Sequence, residues 1–167
     1  FQQLGVVLKE RGLDTDSGAE GGYAPDIDST VDAFEYILEA IERAGYKAGS
    51  QVHLAIDAGA ATMYDKQKHE YVFKLDNSFL HADQMISLYH DWTNQYPLYS
   101  IEDPLDENDW ESWAQMTKEL GDKILIIGDD LHATQPSRLE QSIKHNSSNS
   151  VIVKPTLADA VCDVALT

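Results

Sequence analysis

An aliphatic run at residues 124–130, Ile-Leu-Ile-Ile-Gly-Asp-Asp, ends in two acids. Four aliphatic residues in succession predict a strand that is buried on both faces, and Asp129 and Asp130 follow where that strand must end. Parallel α/β sheets place their chemistry at the carboxyl ends of their strands. This stretch therefore predicts both a core strand and a functional site.

Three further short apolar runs end in a charged residue in the same way. The residues that end them are Asp57, Glu102 and Lys154. Because each of the four predicted strands is followed by a helical pattern, their charged ends are expected to form one constellation at a shared edge.

Helical patterns separate the predicted strands along the chain. Apolar side chains recur at intervals of three and four over residues 30–44, 82–95 and 110–120. A further helix is predicted from about Pro136, with Leu139 and Ile143 facing inward. Alternating strands and helices with short connections predict an α/β fold with a parallel sheet and right-handed crossovers. A piece of a (β/α) barrel is favoured over a doubly wound sheet, because both common nucleotide-binding fingerprints are missing from the sequence.

Residues 62–73 predict a surface hairpin. Two other segments of the chain are predicted loops that carry acidic residues. Residues 18–25, Gly-Ala-Glu-Gly-Gly-Tyr-Ala-Pro, place Glu20 among glycines, which allow the backbone to approach a ligand closely; a plain surface turn is the alternative. Residues 106–109 are predicted to be the solvated N-terminus of the next helix, favoured by its dipole.

The charge and the apolar content of the chain exclude several classes of protein. A net charge of −17 argues against nucleic acid and anionic membranes as partners, because the surface field repels both. It fits divalent-cation binding, although a solubilising acidic surface is the simpler interpretation. No apolar run approaches the ~20 residues of a membrane helix, and no signal peptide is predicted. The single cysteine, Cys162, is expected to be a buried thiol in a reducing compartment.

The charged strand ends suggest a particular chemistry. Adjacent strand ends of a barrel lie within several ångströms of one another, so Asp57, Glu102 and Asp129 are expected to converge. Three half-buried carboxylates need a compensating cation, and an all-oxygen donor set suits Mg²⁺ better than Zn²⁺. Lys154 is expected beside them, and a lysine that is near a metal and desolvated in a pocket has its neutral form favoured, as a base requires. Two simpler interpretations stay open: strand-end acids that cap helices, and a structural salt bridge between Lys154 and Asp129.

Four motifs, in order along the chain, resemble enolase. They are residues 18–25, Ser-Ile-Glu-Asp-Pro at 100–104 with Asn-Asp-Trp at 108–110, Gly-Asp-Asp-Leu at 128–131 with Thr134 and Pro136, and Val-Lys at 153–154. The likeness runs over nearly the whole chain. It implies that residues 1–167 are the central part of the TIM-type (β/α) barrel of the enolase C-terminal domain. The N-terminal capping domain and the last barrel strands are then expected to lie outside this segment, which begins without Met.

The resemblance implies Mg²⁺-dependent dehydration of 2-phosphoglycerate to phosphoenolpyruvate, a lyase reaction of glycolysis. It implies that Asp57, Glu102 and Asp129 are the Mg²⁺ ligands. It also implies that Lys154 is the base that removes the α-proton and that Glu20 is the acid that assists the departing hydroxyl. A lysine base with Mg²⁺ is the general mechanism of enolase-superfamily sites. The expected protein is a cytoplasmic homodimer.

The chain departs from the family pattern beside its predicted site. Ala19 stands where the family has Asp, His132 stands where a small or apolar residue is usual, and residues 59–62 and 155–158 also differ. Such changes commonly lower affinity or activity by about one or two orders of magnitude. The alternative is a weak or inactive enolase-like protein with a structural role in a cytoskeletal or flagellar assembly, similar to the sperm- and cilium-associated branch. The Gly-Ala-Glu-Gly-Gly loop disfavours a third candidate, another acid-sugar enzyme of the superfamily.

Overall fold

The computed structural model describes residues 1–19, 21–74 and 77–154. Its backbone contacts divide the chain into two compact units, one of residues 1–54 with 74–78 and one of residues 55–73 with 79 onward. A single barrel domain over residues 1–167 stays a prediction. Within the described ranges, no helix is long and apolar enough to cross a membrane.

The first unit contains two helices, α1 (Gln2–Glu10) and α2 (Thr30–Arg43). The apolar faces of both helices are buried, with Leu8 of α1 and Phe34 of α2 among the buried residues. Helix α2 begins at a capping box in which Ser29 Oγ accepts the Asp32 N–H at 3.3 Å and the Asp32 carboxylate accepts the Ser29 N–H at 3.2 Å. The predicted start of this helix is confirmed.

The second unit carries the remaining elements, apart from Leu54 of β1 and Ser78 of β4, which belong to the first. In chain order they are β1 (Leu54–Asp57, which begins at the boundary between the units), a 3₁₀ turn (Ala60–Met63), β2 (Tyr64–Asp65), β3 (Glu70–Phe73), β4 (Ser78–Leu80), α3 (Ala82–Gln95), β5 (Leu98–Glu102), α4 (Trp110–Leu120), β6 (Leu125–Gly128), α5 (Pro136–His145) and β7 (Ser150–Val151). Strands β2 and β3 pair in antiparallel fashion, which confirms the predicted hairpin. The predicted bounds of α3 and α4 are also confirmed.

The main sheet has four strands in the order β1-β5-β6-β7. Strands β5 and β6 pair in parallel with Ile101 opposite Ile126, and β6 pairs in parallel with β7 with Gly128 opposite Val151. The predicted parallel sheet is confirmed. Ile101 and Ile126 are fully buried, whereas Leu125 and Ile127 on β6 remain partly exposed. The prediction that β6 is buried on both faces is therefore wrong for the described residues, because their four strands form an open sheet.

Helix α5 presents a different face from the one predicted. Ile143 is 68% exposed, and the buried position is Ser142, whose hydroxyl lies 3.2 Å from that of Ser148. Residues 139 and 142 are neighbours on a helix as closely as residues 139 and 143 are, so the apolar pattern alone does not choose between them. The inward placement of Ile143 is therefore wrong: the adjacent Ser142 is buried instead, and its hydroxyl contacts that of Ser148.

The acidic loop before α4 is more buried than predicted. Asp106 is only 5% exposed; its N–H donates to the Tyr71 hydroxyl at 2.9 Å, and its carbonyl accepts the Trp113 Nε1–H at 3.0 Å. The prediction of a solvated loop is wrong for Asp106, because two aromatic side chains enclose its backbone. Asp109 does cap α4, accepting the Ser112 N–H at 3.2 Å.

Candidate metal centre at the strand ends

The structure places the four charged residues along one edge of the sheet. Asp57 ends β1, Glu102 ends β5, Asp129 follows β6 directly, and Lys154 lies three residues beyond β7. The strand order β1-β5-β6-β7 arranges the four residues in the same order across that edge. Parallel pairing brings their backbones together, because every strand delivers its carboxyl end to the same side.

Three carboxylates approach closely enough to share one cation. One oxygen each from Glu102, Asp103 and Asp129 lies within 4.8 Å of the others. Among the described residues, Asp57 contributes no oxygen to this group, and its side chain is exposed at the edge strand. Asp103 is thus the third member of the close group, and the role of Asp57 as a metal ligand stays a prediction.

Asp129 carries an observation that bears directly on cation binding. Its Oδ2 accepts a hydrogen bond from Lys154 Nζ, whereas its Oδ1 is buried and has no hydrogen-bond partner in the described part of the chain. A buried carboxylate oxygen without a partner is energetically costly, and a hard cation would supply the missing interaction. The all-oxygen donor set and this orphaned oxygen both fit Mg²⁺.

Among the acids in the described part of the chain, Glu102 is the one whose ionisation is most strongly disfavoured. Partial burial raises its pKa to about 7, and the negative charges of Asp57, Asp129 and Asp103 act in the same direction. The nearby Lys154 ammonium lowers the pKa, but it does not outweigh them. The charge of Asp57 therefore reaches Glu102, although Asp57 stands outside the close group. A cation would relieve the part of this shift that the neighbouring negative charges cause.

Lys154 forms an ion pair with Asp129. Its hydrogen bond with Asp129 raises the pKa of the lysine, and the charges of Asp129, Glu102 and Asp130 reinforce this shift against a smaller effect of burial. The ammonium form is therefore favoured in this ion pair, and the neutral form expected of a lysine beside a bound metal stays a prediction. The salt bridge that the sequence left open as the simpler interpretation is present.

Three polar residues that bond to the backbone at or near the strand ends had no site role predicted from the sequence. Asp103 accepts two backbone N–H groups after β6, Thr134 accepts the Lys154 N–H at 2.7 Å, and His132 lies fully buried between β6 and the turn before β7. Asp103 directly follows Glu102, which is a signal that sequence reasoning could have used. Thr134 and His132 have no local signal, because their partners lie at least 16 residues away or on the strand backbone.

His132 is held by two hydrogen bonds. Its Nδ1 lies 2.9 Å from the Gly128 carbonyl oxygen, and its Nε2 lies 3.3 Å from the Ser148 hydroxyl. Because a carbonyl only accepts, Nδ1 carries the proton and Nε2 of the neutral ring accepts from Ser148. Burial lowers the pKa of His132, which favours this neutral form.

Glu20 and residues 155–167, with Cys162, lie outside the described residues. The role expected of Glu20 and the buried state expected of Cys162 stay predictions. On either side of Glu20 the loop is tight: the Gly18 N–H donates to the Gly22 carbonyl at 2.7 Å, and Gly21 has a φ of +80°. Such a backbone requires glycine at position 21.

The parallel sheet with helical crossovers and acids at the carboxyl ends of its strands defines this chain as part of a (β/α) barrel protein with an acidic rim. Residues 1–164 match the family model described as "Enolase, C-terminal TIM barrel domain". The chain belongs to the enolase family.

Two relatives illustrate the likeness. The chain is 48% identical over 154 residues to an enolase of Natranaerobius thermophilus, a match that covers 92% of the chain and 36% of the relative. It is 40% identical over 165 residues to an enolase of Corynebacterium kroppenstedtii, covering 99% of the chain and 38% of the relative. The chain thus spans less than two fifths of the length of these relatives.

Proposed function

We propose that the complete protein that contains this chain is an Mg²⁺-dependent phosphopyruvate hydratase, which converts 2-phosphoglycerate to phosphoenolpyruvate and water. The observation that carries the proposal is the buried, unpartnered Oδ1 of Asp129 beside Glu102 and the Lys154 ammonium. Membership of the enolase family supports the choice of reaction and substrate.

Each predicted site residue has a role in this proposal. Asp57, Glu102 and Asp129 would hold Mg²⁺, which when bound supplies electrostatic stabilisation of the negative charge that develops on the substrate. Lys154 would take the α-proton on its Nζ, and Glu20 would donate a proton to the departing hydroxyl.

The Lys154–Asp129 ion pair bears on this role. A lysine that acts as a base must first lose its proton, and Asp129 now stabilises the ammonium. Neutralising Asp129 would weaken that stabilisation, so cation binding and a neutral Lys154 favour each other. Asp129, as the proposed metal ligand, and Lys154, as the proposed base, would therefore act together.

A coupled assay for phosphoenolpyruvate on the complete protein tests the proposal. Lys154→Ala is expected to lower kcat by roughly 10²–10⁴-fold, the usual contribution of a general base. Lys123→Ala is a matched control, because Lys123 is exposed and its Nζ contacts Asn94 instead of the acids. Absence of turnover at saturating Mg²⁺, or full activity in Lys154→Ala, contradicts the proposal.

The second candidate is a weak or inactive enolase-like protein with a structural role, in which a cytoskeletal or flagellar partner replaces the substrate. The residues Ala19, Ala60 and Pro155, which depart from the pattern expected of enolases, favour it. The resemblance to enolase implies a phosphate-binding Arg-Ser and a second Lys in the later barrel strands. These residues distinguish the two candidates, because their loss from the complete sequence would favour the structural role. For the enzyme we propose a cytoplasmic homodimer, which sedimentation and fractionation would test.

A further inference from the structure

We propose that Asp103 is a positioning residue: it fixes the backbone of Asp129 for cation binding, and it is not itself a ligand of the cation. The proposal rests on the proposed function, since it concerns how the acidic rim is held in a binding geometry. It assigns Asp103 a role different from that of Glu102 and Asp129, although all three carboxylates belong to the same close group.

Both carboxylate oxygens of Asp103 are already engaged. Oδ1 accepts the Asp129 N–H at 3.0 Å, and Oδ2 accepts the Asp130 N–H at 2.9 Å. The residue is 6% exposed, so few water molecules compete for these bonds. Charge-assisted bonds of this kind are stronger than neutral ones. The Asp129 Oδ1, which has no partner, is by contrast free to accept a cation.

The backbone of Asp103 ties the neighbouring strand ends together as well. Its N–H donates to the Ile127 carbonyl at 3.0 Å, and its carbonyl accepts the Ala60 N–H at 3.0 Å. One residue at the end of β5 therefore links the segment that follows β1 to the end of β6. These are the strands that carry Asp57 and Asp129.

The backbone conformation of Asp103 is unusual and suits this task. Its φ is +43°, in the left-handed region, which aspartate tolerates better than most residues other than glycine. The chain turns at this point instead of continuing β5. Asp103 thus bonds to β6 while Glu102, one residue earlier, remains at the rim beside Asp129.

Asp103→Asn separates the two roles, because it keeps the shape and removes one of the two acceptors. If Asp103 positions Asp129, the amides of residues 129 and 130 lose protection even in metal-free protein. We expect their hydrogen exchange to accelerate at least about tenfold, because the bonds to the amides of Asp129 and Asp130 weaken. Mg²⁺ affinity, measured by calorimetry, is expected to fall by about 10–100-fold, as is usual when the support of a ligand is lost.

Asp130→Asn is the matched control for charge. It removes one negative charge next to the site, from an exposed side chain, and keeps the Asp103 carboxylate. We expect it to leave the exchange of the Asp129 amide unchanged and to weaken Mg²⁺ binding only by a few-fold, since exposed charges are screened.

Hydrogen exchange of the wild-type complete protein, with and without MgCl₂, gives the decisive comparison and does not depend on whether a variant folds. Unchanged or increased protection of residues 129 and 130 on adding Mg²⁺ supports positioning. Loss of that protection would show that the Asp103 oxygens leave the amides to bind metal, which overturns the inference. Native exchange in a folded Asp103→Asn protein overturns it equally.

If the wild type binds no Mg²⁺, the proposed function fails, and the exchange of metal-free Asp103→Asn still decides whether Asp103 positions Asp129.

Discussion

Thr134 Oγ1 accepts the backbone N–H of Lys154 at 2.7 Å, so a residue in the loop after β6 holds the residue predicted to be the catalytic base. Thr134 is buried. A nearby bond, from the Ile152 N–H to the Gly128 carbonyl at 3.1 Å, keeps the intervening backbone along β6. The segment from residue 152 to residue 154 therefore follows β6 although β7 itself ends at Val151.

The first prediction concerns this hydroxyl. Thr134→Val keeps the branched shape and removes the acceptor, which leaves the Lys154 N–H without its partner. We expect a loss of about 0.5–1.5 kcal/mol in the free energy of unfolding, the usual net contribution of one hydrogen bond, because Lys154 is exposed and water can reach its N–H. Urea denaturation measures the loss. Thr134→Ser restores the acceptor and should recover most of the stability, and a valine variant as stable as wild type would contradict the prediction.

The strands and helices could be predicted because their signals are local. A run of aliphatic residues defines β6, and apolar side chains at intervals of three and four define α3 and α4. Each signal lies within the element that it predicts. The side chain that α5 buries depends instead on Ser148, which lies beyond the helix, so the apolar pattern chose Ile143 incorrectly.

The site follows the same rule: features set by local sequence could be predicted, and features set by distant contacts could not. Glu102 ends its strand, Asp129 follows its strand directly and Lys154 lies three residues beyond its strand, so parallel pairing suffices to bring the three charges to one edge. The role of Asp103 depends on a bond across 26 residues and on a left-handed φ, and neither appears in a residue pattern. The protonated state of Lys154 likewise depends on the observed contact with Asp129.

A second prediction follows from the ionisation of Glu102. Its pKa is raised to about 7 in the metal-free protein, so below that pH the carboxyl group holds a proton that Mg²⁺ must displace. We expect the apparent Mg²⁺ affinity to be nearly constant above about pH 8 and to fall roughly tenfold per unit well below pH 7. Calorimetry across this range, in two buffers of different ionisation enthalpy, measures both the affinity and the proton released.

Glu102 also affects the free energy of unfolding, and here the pH dependence is opposite to that of Mg²⁺ affinity: stability falls as pH rises. A carboxyl group whose pKa is raised on folding stabilises the folded state below its ordinary pKa, and this contribution is lost as pH rises through about 7. Glu102→Gln removes the titrating group, so the unfolding free energy of the metal-free variant should depend less on pH in this window. An unchanged pH profile would show that other groups dominate.

The third prediction concerns the packing of Gly128 against His132. A Cβ on Gly128 would lie 2.4 Å from His132 Cε1 and 2.6 Å from Nδ1, and the ring is fixed by its bonds to Gly128 and Ser148. Gly128→Ala is therefore expected to lower the unfolding free energy by about 1–3 kcal/mol, the usual cost of overpacking.

A double-mutant cycle separates this clash from other effects at position 128. In a His132→Ala background the ring is gone, and adding Gly128→Ala should cost clearly less than it does alone. A contact of 3.1 Å with Leu131 Cβ would remain, so a small residual cost is expected. Additive losses would show that the imidazole is not what excludes a side chain from position 128.

The last prediction concerns the hydroxyl of Tyr89, which donates to the Pro104 carbonyl at 3.0 Å in a fully enclosed position. Tyr89→Phe keeps the ring and its edge contact with Trp92, at 5.8 Å between centroids, but leaves the buried carbonyl without that donor. We expect a loss of about 1–3 kcal/mol in the free energy of unfolding, measured by urea denaturation. Tyr64→Phe is the control, because the Tyr64 hydroxyl bonds to His69 in an exposed position and its removal should cost less than about 0.5 kcal/mol.

Pro104 directly follows Asp103, so loosening the Pro104 carbonyl should also weaken Mg²⁺ binding if the turn after β5 holds the rim. A Tyr89→Phe protein that is less stable but binds Mg²⁺ normally would confine the effect of this hydroxyl to the core.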